Sequence, residues 1–174
     1  MPVSSWYFDL GMIEKYWGSD RVYHHTAPVS MILALRESLR MVFEEGSRAR
    51  FARHVRHRDG LVTGLSALGL SLLVPPDYRL PMLTSVKVPE NVDEAAIRRR
   101  LLSAYNIEIG AGLGPLAGKI WRIGLMGHSS RSDNVRSVLM ALGESLRDVG
   151  HACDPDEAVA AADSVLARAA IEEP

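Results

Sequence analysis

Two periods run through the apolar positions of this chain. Val135, Val138, Leu139, Leu142 and Leu146 recur at helical spacing and predict a helix over Ser132–Val149 with one buried stripe. Val29, Ile32, Leu33, Leu39, Val42 and Phe43 fall near one face of a second helix. Arg36, Glu37, Arg40 and Glu44 lie mostly on the other face, with Arg40 and Glu44 at i, i+4. From Lys119 to Leu125 the period shortens to that of a strand. There Trp121, Ile123 and Leu125 point one way, and Ile120, Arg122 and Gly124 the other.

The remaining elements follow from start and stop residues. Asp9 to Trp17 predicts a short helix with Leu10, Ile13 and Trp17 on one side, ended by Gly18. Ser19 to Ala27 reads as a polar loop. Pro28 opens the next helix, where a missing N–H costs nothing, and Thr26 is its natural N-cap. Gly46 and Ser47 mark a break, after which helical character runs to about Leu68 and stops at Gly69. Short strands are expected at Leu70–Val74, Thr84–Val88 and Asn106–Ile109. A helix is expected over Val92–Ala104, capped by Asn91 or Asp93, and a peripheral one over Asp156–Ala169. The order predicts an α+β fold, a small mixed or antiparallel sheet with helices on one face. A helix pair of such length around Gly46 places a domain boundary there. The expected parts are residues 1–45, a small domain at 46–150, and a peripheral helical tail at 151–174.

Composition narrows the class. The 174 residues are 47% hydrophobic and 24% charged, as in ordinary globular proteins. A net charge of −1 gives no bulk electrostatic case for nucleic acid or an anionic membrane. The longest apolar run, Leu65–Val74, is interrupted by Ser66, Gly69 and Ser71 and stopped by Pro75 and Pro76, too short for a membrane span. No basic region followed by an apolar core opens the sequence, so no secretory signal is expected. Cys153 is the only cysteine, which excludes an intrachain disulfide and fits a reducing, cytoplasmic setting.

Three stretches carry candidate chemistry. Arg122 puts a guanidinium between Ile120 and Gly124 on an otherwise apolar strand. A charge there needs a partner, either an internal carboxylate or the carboxylate of a ligand. Tyr23-His24-His25-Thr26 stands just before the Pro28 helix, where free N–H groups and two hydroxyls suit a phosphate; Thr26 as a plain helix cap is the competing reading. No metal is expected, because the adjacent histidines lack ligand spacing. His54 and His57, within the basic run Arg48–Asp59, read as part of a solvated face. Gly110, Gly112 and Gly114 match neither the dinucleotide fingerprint nor a P-loop. They serve either a tight turn or a close approach to a ligand beside Arg122.

Taken together, the YHHT segment, LRESL at Leu35–Leu39 and GLGPLAGKIWRIGLMG at Gly112–Gly127 resemble the alanine–glyoxylate and serine–pyruvate aminotransferases. These are class V enzymes of fold type I that use pyridoxal 5'-phosphate. The resemblance runs from about Trp6 to Leu146 and corresponds to the C-terminal portion of that family. It implies the last helices of a large domain at 1–45 and the whole small domain at 46–150. It implies a homodimer, with Tyr23 and Thr26 contacting the cofactor phosphate of the partner subunit. It makes Arg122 the arginine that binds the substrate α-carboxylate, a task suited to a planar guanidinium.

The family's cofactor-bearing lysine, its aspartate for the pyridine nitrogen and its stacking aromatic precede the matched region. The expectation is therefore that this polypeptide does not transaminate by itself and works with a large-domain chain. Small amino acids and 2-oxo acids are the implied substrates. The competing expectations are a non-catalytic dimerisation module of the same descent, and a small-molecule regulatory domain, which has only the sheet order in its favour.

Overall fold

The computed structural model describes residues 4–168, and the chain divides into two compact units, Met1–Glu45 and Gly46–Pro174. In the first unit, α1 spans Leu10–Trp17 and α2 spans Val29–Glu45. Asp9 caps α1 by accepting the Met12 N–H at 3.1 Å. The segment between the helices folds back so that Trp6 packs edge-on against His24, and Tyr16 against Tyr23. Among the described residues none in α1 or α2 is buried, so the apolar face expected on α2 is exposed there.

The second unit contains α3 (Ser47–Ala67), β1 (Leu83–Lys87), α4 (Glu94–Tyr105), β2 (Gly110–Ala111), β3 (Ile120–Gly124), α5 (Ser132–Asp148) and α6 (Pro155–Arg168). Helix α3 ends as its sequence dictates. Gly69 takes a left-handed φ of 73°, the Leu70 N–H returns to the Leu65 carbonyl, and the Gly69 N–H returns to Ser66. The sheet is antiparallel with order β1-β3-β2. Val86 faces Trp121 and Thr84 faces Ile123 in register, all four buried. Their face joins the apolar stripes of α3, α4 and α5 in one core. Leu83–Lys87 is in place as a strand, but Leu70–Val74 makes only an isolated bridge, Leu72 to Val86. Asn106–Ile109 is not a strand, because Asn106 turns left-handed (φ 55°) at the end of α4.

The last helix departs from expectation. Rather than lying at the periphery, α6 packs along α3 and α5, with Ala158 and Ala162 fully buried. The reason is steric. A Cβ placed on Gly64 of α3 would stand 2.3 Å from Leu139 and 2.9 Å from the Ala158 carbonyl, so only glycine lets the three helices approach. Ala169, the expected last residue of this helix, and the rest of the tail lie outside the described residues. Among the described residues no helix is long and apolar enough to cross a membrane.

Candidate functional site

Arg122 sits at the middle of the central strand, opposite Ser85 on one side and Gly110 on the other. Its neighbour Trp121 is fully buried, with Nε1 donating to the Glu94 carbonyl at 3.2 Å, which pins the strand from its core face. On the opposite face the Arg122 Nε donates to the Ala111 carbonyl at 2.7 Å. The guanidinium lies across Gly110, where a Cβ would meet Nε and Nη2 at 3.4 Å. The guanidinium therefore rests against a glycine on the facing strand rather than over Gly124 beside it. Arg122 is half-buried, and no carboxylate among the described residues pairs with it. Its two terminal nitrogens keep their N–H groups for an outside acceptor.

The glycine loop itself is a tight turn. A Cβ on Gly112 would fall 1.9 Å from the Leu116 carbonyl oxygen, so the loop closes on its own backbone.

In the first unit, the structure brings Tyr23 and Thr26 together, their hydroxyls 3.2 Å apart and both exposed. Helix α2 starts at Val29, so Thr26 lies too far upstream to cap it, and its hydroxyl turns to Tyr23 instead. His24, between them, points inward. It is fully buried against Trp6, with neither ring nitrogen paired among the described residues. Arg122 belongs to the second unit.

The reading of His54 and His57 as a solvated face is overturned: both are buried. They hold the turn that follows β3. The Gly127 N–H donates to His54 Nε2 at 3.1 Å, so the His54 proton resides on Nδ1, 2.7 Å from the Arg50 carbonyl. Arg53 Nη1 donates to the carbonyls of Gly127 (3.0 Å) and Ser130 (2.6 Å). His57 lies between the hydroxyls of Ser130 (3.0 Å) and Ser132 (3.3 Å). Burial, then the charges of Arg56 and Arg53, push the His57 pKa down to about 4, against an opposing hydrogen bond to Ser130. The i, i+3 spacing of the two histidines was the signal for this clamp, hidden among flanking arginines that dominate the local charge.

The antiparallel sheet and its covering helices form a small α+β domain of a kind that solved aminotransferases share. No protein-family model matches the chain. Individual proteins do. It is 46% identical to the (S)-ureidoglycine–glyoxylate transaminase of Bacillus subtilis over 141 residues, 81% of this chain and 34% of that protein. The crystal structure of the B. subtilis ureidoglycine–glyoxylate aminotransferase superposes with a TM-score of 0.90, covering 95% of this chain and 43% of that one. The alanine–glyoxylate aminotransferase of Callithrix jacchus is 42% identical over 83% of this chain and 36% of its own length. The crystal structure of the Nostoc alanine–glyoxylate aminotransferase is 50% identical, with a TM-score of 0.80, over 84% of this chain and 39% of that one. The chain belongs to this aminotransferase family and spans little more than a third of the length of the curated relatives it matches. The cofactor of the complete enzymes in the family is pyridoxal 5'-phosphate.

Proposed function

We propose that this chain supplies the carboxylate-binding half of an aminotransferase site, in a complete protein that moves an amino group from alanine or serine to glyoxylate or pyruvate. The observation that carries the reading is Arg122: a half-buried guanidinium on a rigid central strand, fixed through Nε to Ala111 and without an internal carboxylate among the described residues. The two coplanar terminal nitrogens left in that state match the two oxygens of an α-carboxylate. Small amino acids and 2-oxo acids both carry that group, so one arginine serves donor and acceptor alike.

Tyr23 and Thr26 fit the phosphate of the cofactor. Their hydroxyls already lie side by side, exposed, just ahead of a helix N-terminus, so a phosphate gains two donors and the helix dipole together. The cofactor, when bound, supplies the electron sink that amino transfer needs. Arg122 orients the substrate and holds its carboxylate charge; Tyr23 and Thr26 anchor. Nothing in this assignment gives Lys15, Lys87 or Lys119 the role of carrying the cofactor. In the complete protein, a homodimer brings Tyr23 and Thr26 of one subunit to the cofactor phosphate of the other. A cytoplasmic setting fits the single cysteine.

The test is Arg122→Ala in a complete aminotransferase carrying this chain. Affinity for the amino and oxo acids should fall by about 2–5 kcal/mol, while cofactor loading stays unchanged. Unchanged affinity for the acids removes the carboxylate role.

A second reading, a non-catalytic interaction module, is favoured by α2. Met31, Leu33, Leu35 and Phe43 stand exposed on a helix with no buried residue. Such a surface marks an interaction site. Under that reading the isolated chain associates through α2 and Phe43→Glu disperses it in sedimentation, whereas Arg122→Ala changes nothing that can be measured.

A further inference from the structure

The two sides of β3 are paired over different lengths. Toward β1, residues 83–87 cover 120–124, and the Leu125 N–H continues the ladder to Met82 at 2.9 Å. Toward β2, only Gly110 and Ala111 pair, extended by the Gly112 N–H to the Ile120 carbonyl at 3.1 Å. Hydrogen-bonded pairs alternate along an antiparallel ladder. The bonds at Lys119 and Leu125 therefore direct the odd-numbered residues toward β1. The bond at Ile120 directs Ile120, Arg122 and Gly124 toward β2. In that register Gly124 faces Glu108.

Glu108 does not come to meet it. Asn106 ends α4 left-handed, the Ile107 N–H returns to the Leu101 carbonyl, and Ile109 is drawn into the core. The segment 106–109 thus swings away from β3. A cavity of about 310 Å³ opens between this segment, the end of β3 and the first turns of α5. No backbone partner meets Gly124 on this side among the described residues. Gly124 is exposed and has no side chain to block its N–H and carbonyl.

We propose that this groove takes a short extended peptide segment bearing a basic side chain, added as a strand against Gly124. An unpaired strand edge is complemented best by another main chain, which brings a donor and an acceptor at the right spacing. Charge selects the side chain. Glu108 is exposed and forms no ion pair among the described residues; Arg98, already paired with Glu94, acts on it only through space. Asn106 and Ser137 add polar atoms, and no basic residue lines the cavity. Ile123 and Val138 supply the apolar wall. The volume lies at the low end for ligand pockets, about 300–1,000 Å³. That suits a stretch of extended chain rather than a helix, which is about 10–12 Å across. The site is independent of the role given to Arg122.

The test uses the full ¹⁵N-labelled chain and two acetylated, amidated tripeptides, one with lysine between two valines and one with glutamate there. Saturable shifts are expected at the amides of Ile107, Glu108, Gly124 and Met126, with the lysine peptide bound about threefold more tightly, as an exposed charge pair allows. Glu108→Lys should abolish or reverse that preference, and Gly124→Pro, which removes the donor, should abolish the shifts. If Gly124→Pro does not fold, Glu108→Lys decides alone. The proposal fails if neither peptide produces saturable shifts at these amides. It fails equally if both bind alike in wild type and Glu108→Lys. It also fails if the same amides shift when the chain alone is concentrated, which makes a second copy the occupant.

Discussion

The His57 ring and the Ser130 hydroxyl, 73 residues apart in sequence, lie 3.0 Å apart inside the second unit. With His54 and Arg53, this contact ties helix α3 to the turn that leaves β3. A turn that reverses a central strand has backbone groups which the sheet cannot satisfy, and here helix side chains satisfy them.

The contact makes stability depend on pH in a definable window. His57 titrates near 4 in the fold and near 6.5 when exposed. Between those values the unfolded chain takes up a proton that the folded chain refuses. The stabilisation from a neutral His57 is therefore complete above pH 6.5, declines as the pH falls toward 4, and is gone below. The slope contributed is at most about 1.4 kcal/mol per pH unit. Urea midpoints across this range should show a flatter pH dependence for His57→Gln than for wild type. Parallel curves would refute the assignment.

Gly64 tests the packing of α6. Alanine there meets the Leu139 methyl group and the Ala158 carbonyl at distances that real Cβ atoms do not adopt. Leu139 can rotate, but the backbone carbonyl of another helix cannot yield without moving α6. Alanine is the better helix former by about 1 kcal/mol, yet overpacking costs typically about 1–3 kcal/mol and more where backbone must shift. Gly64→Ala is expected to lower stability by a net amount of up to about 2 kcal/mol, read from the chemical denaturation midpoint. A variant as stable as wild type would show that α6 is loosely held.

These two features mark where the chain was and was not legible. The stripe of α5 and the alternation of β3 were readable because one periodic face enters one core: Val135, Leu139, Leu142, Leu146, Trp121 and Ile123 are all buried. The α2 stripe was equally periodic, but periodicity reports only that a face seeks cover, and none of its residues is buried among the described residues. The place of α6 depended on Gly60 and Gly64, four residues apart on α3, whose missing side chains admit Leu166 and the Ala158 backbone. A reading of apolar residues alone passes over such glycines. At Asn106–Ile109, strand-like residues were overridden by the end of α4, where a left-handed Asn106 sends the chain elsewhere. Arg122 was visible as a charge needing a partner. That the partner of its Nε is a backbone carbonyl and not a carboxylate required the structure.

Tyr23 and Thr26 bear on the proposed contact with the cofactor phosphate of the partner subunit. Their hydroxyls are 3.2 Å apart, so one donates to the other until an anion arrives to accept from both. Tyr23→Phe and Thr26→Val each remove one donor and keep the shape. In a complete aminotransferase each should weaken cofactor binding by about 1.5–3 kcal/mol, the range for a hydrogen bond to a charged group. The double variant should lose less than the sum, because the two groups act on one phosphate. Cofactor titration followed by its visible absorbance measures both. Full additivity would place the hydroxyls on separate targets.

Arg122→Lys separates a planar fork from a mere positive charge. Lysine keeps the charge but presents a single ammonium. It also loses the Nε bond to Ala111 that now fixes the side chain across Gly110. If a carboxylate meets both free nitrogens, lysine should recover only part of what alanine loses. In a complete aminotransferase, kcat/KM for the oxo acid should then fall by roughly tenfold or more relative to arginine, about 1.4 kcal/mol. The fall should be of similar size for the amino acid, since the two substrates present the same group. A lysine variant equal to wild type would mean that charge alone suffices. A fall confined to one substrate would mean that Arg122 reads something other than the shared carboxylate. Gly110→Ala supplies the geometric control: its methyl group would rest at 3.4 Å from the guanidinium, in ordinary van der Waals contact, so both rate constants should stay close to wild type.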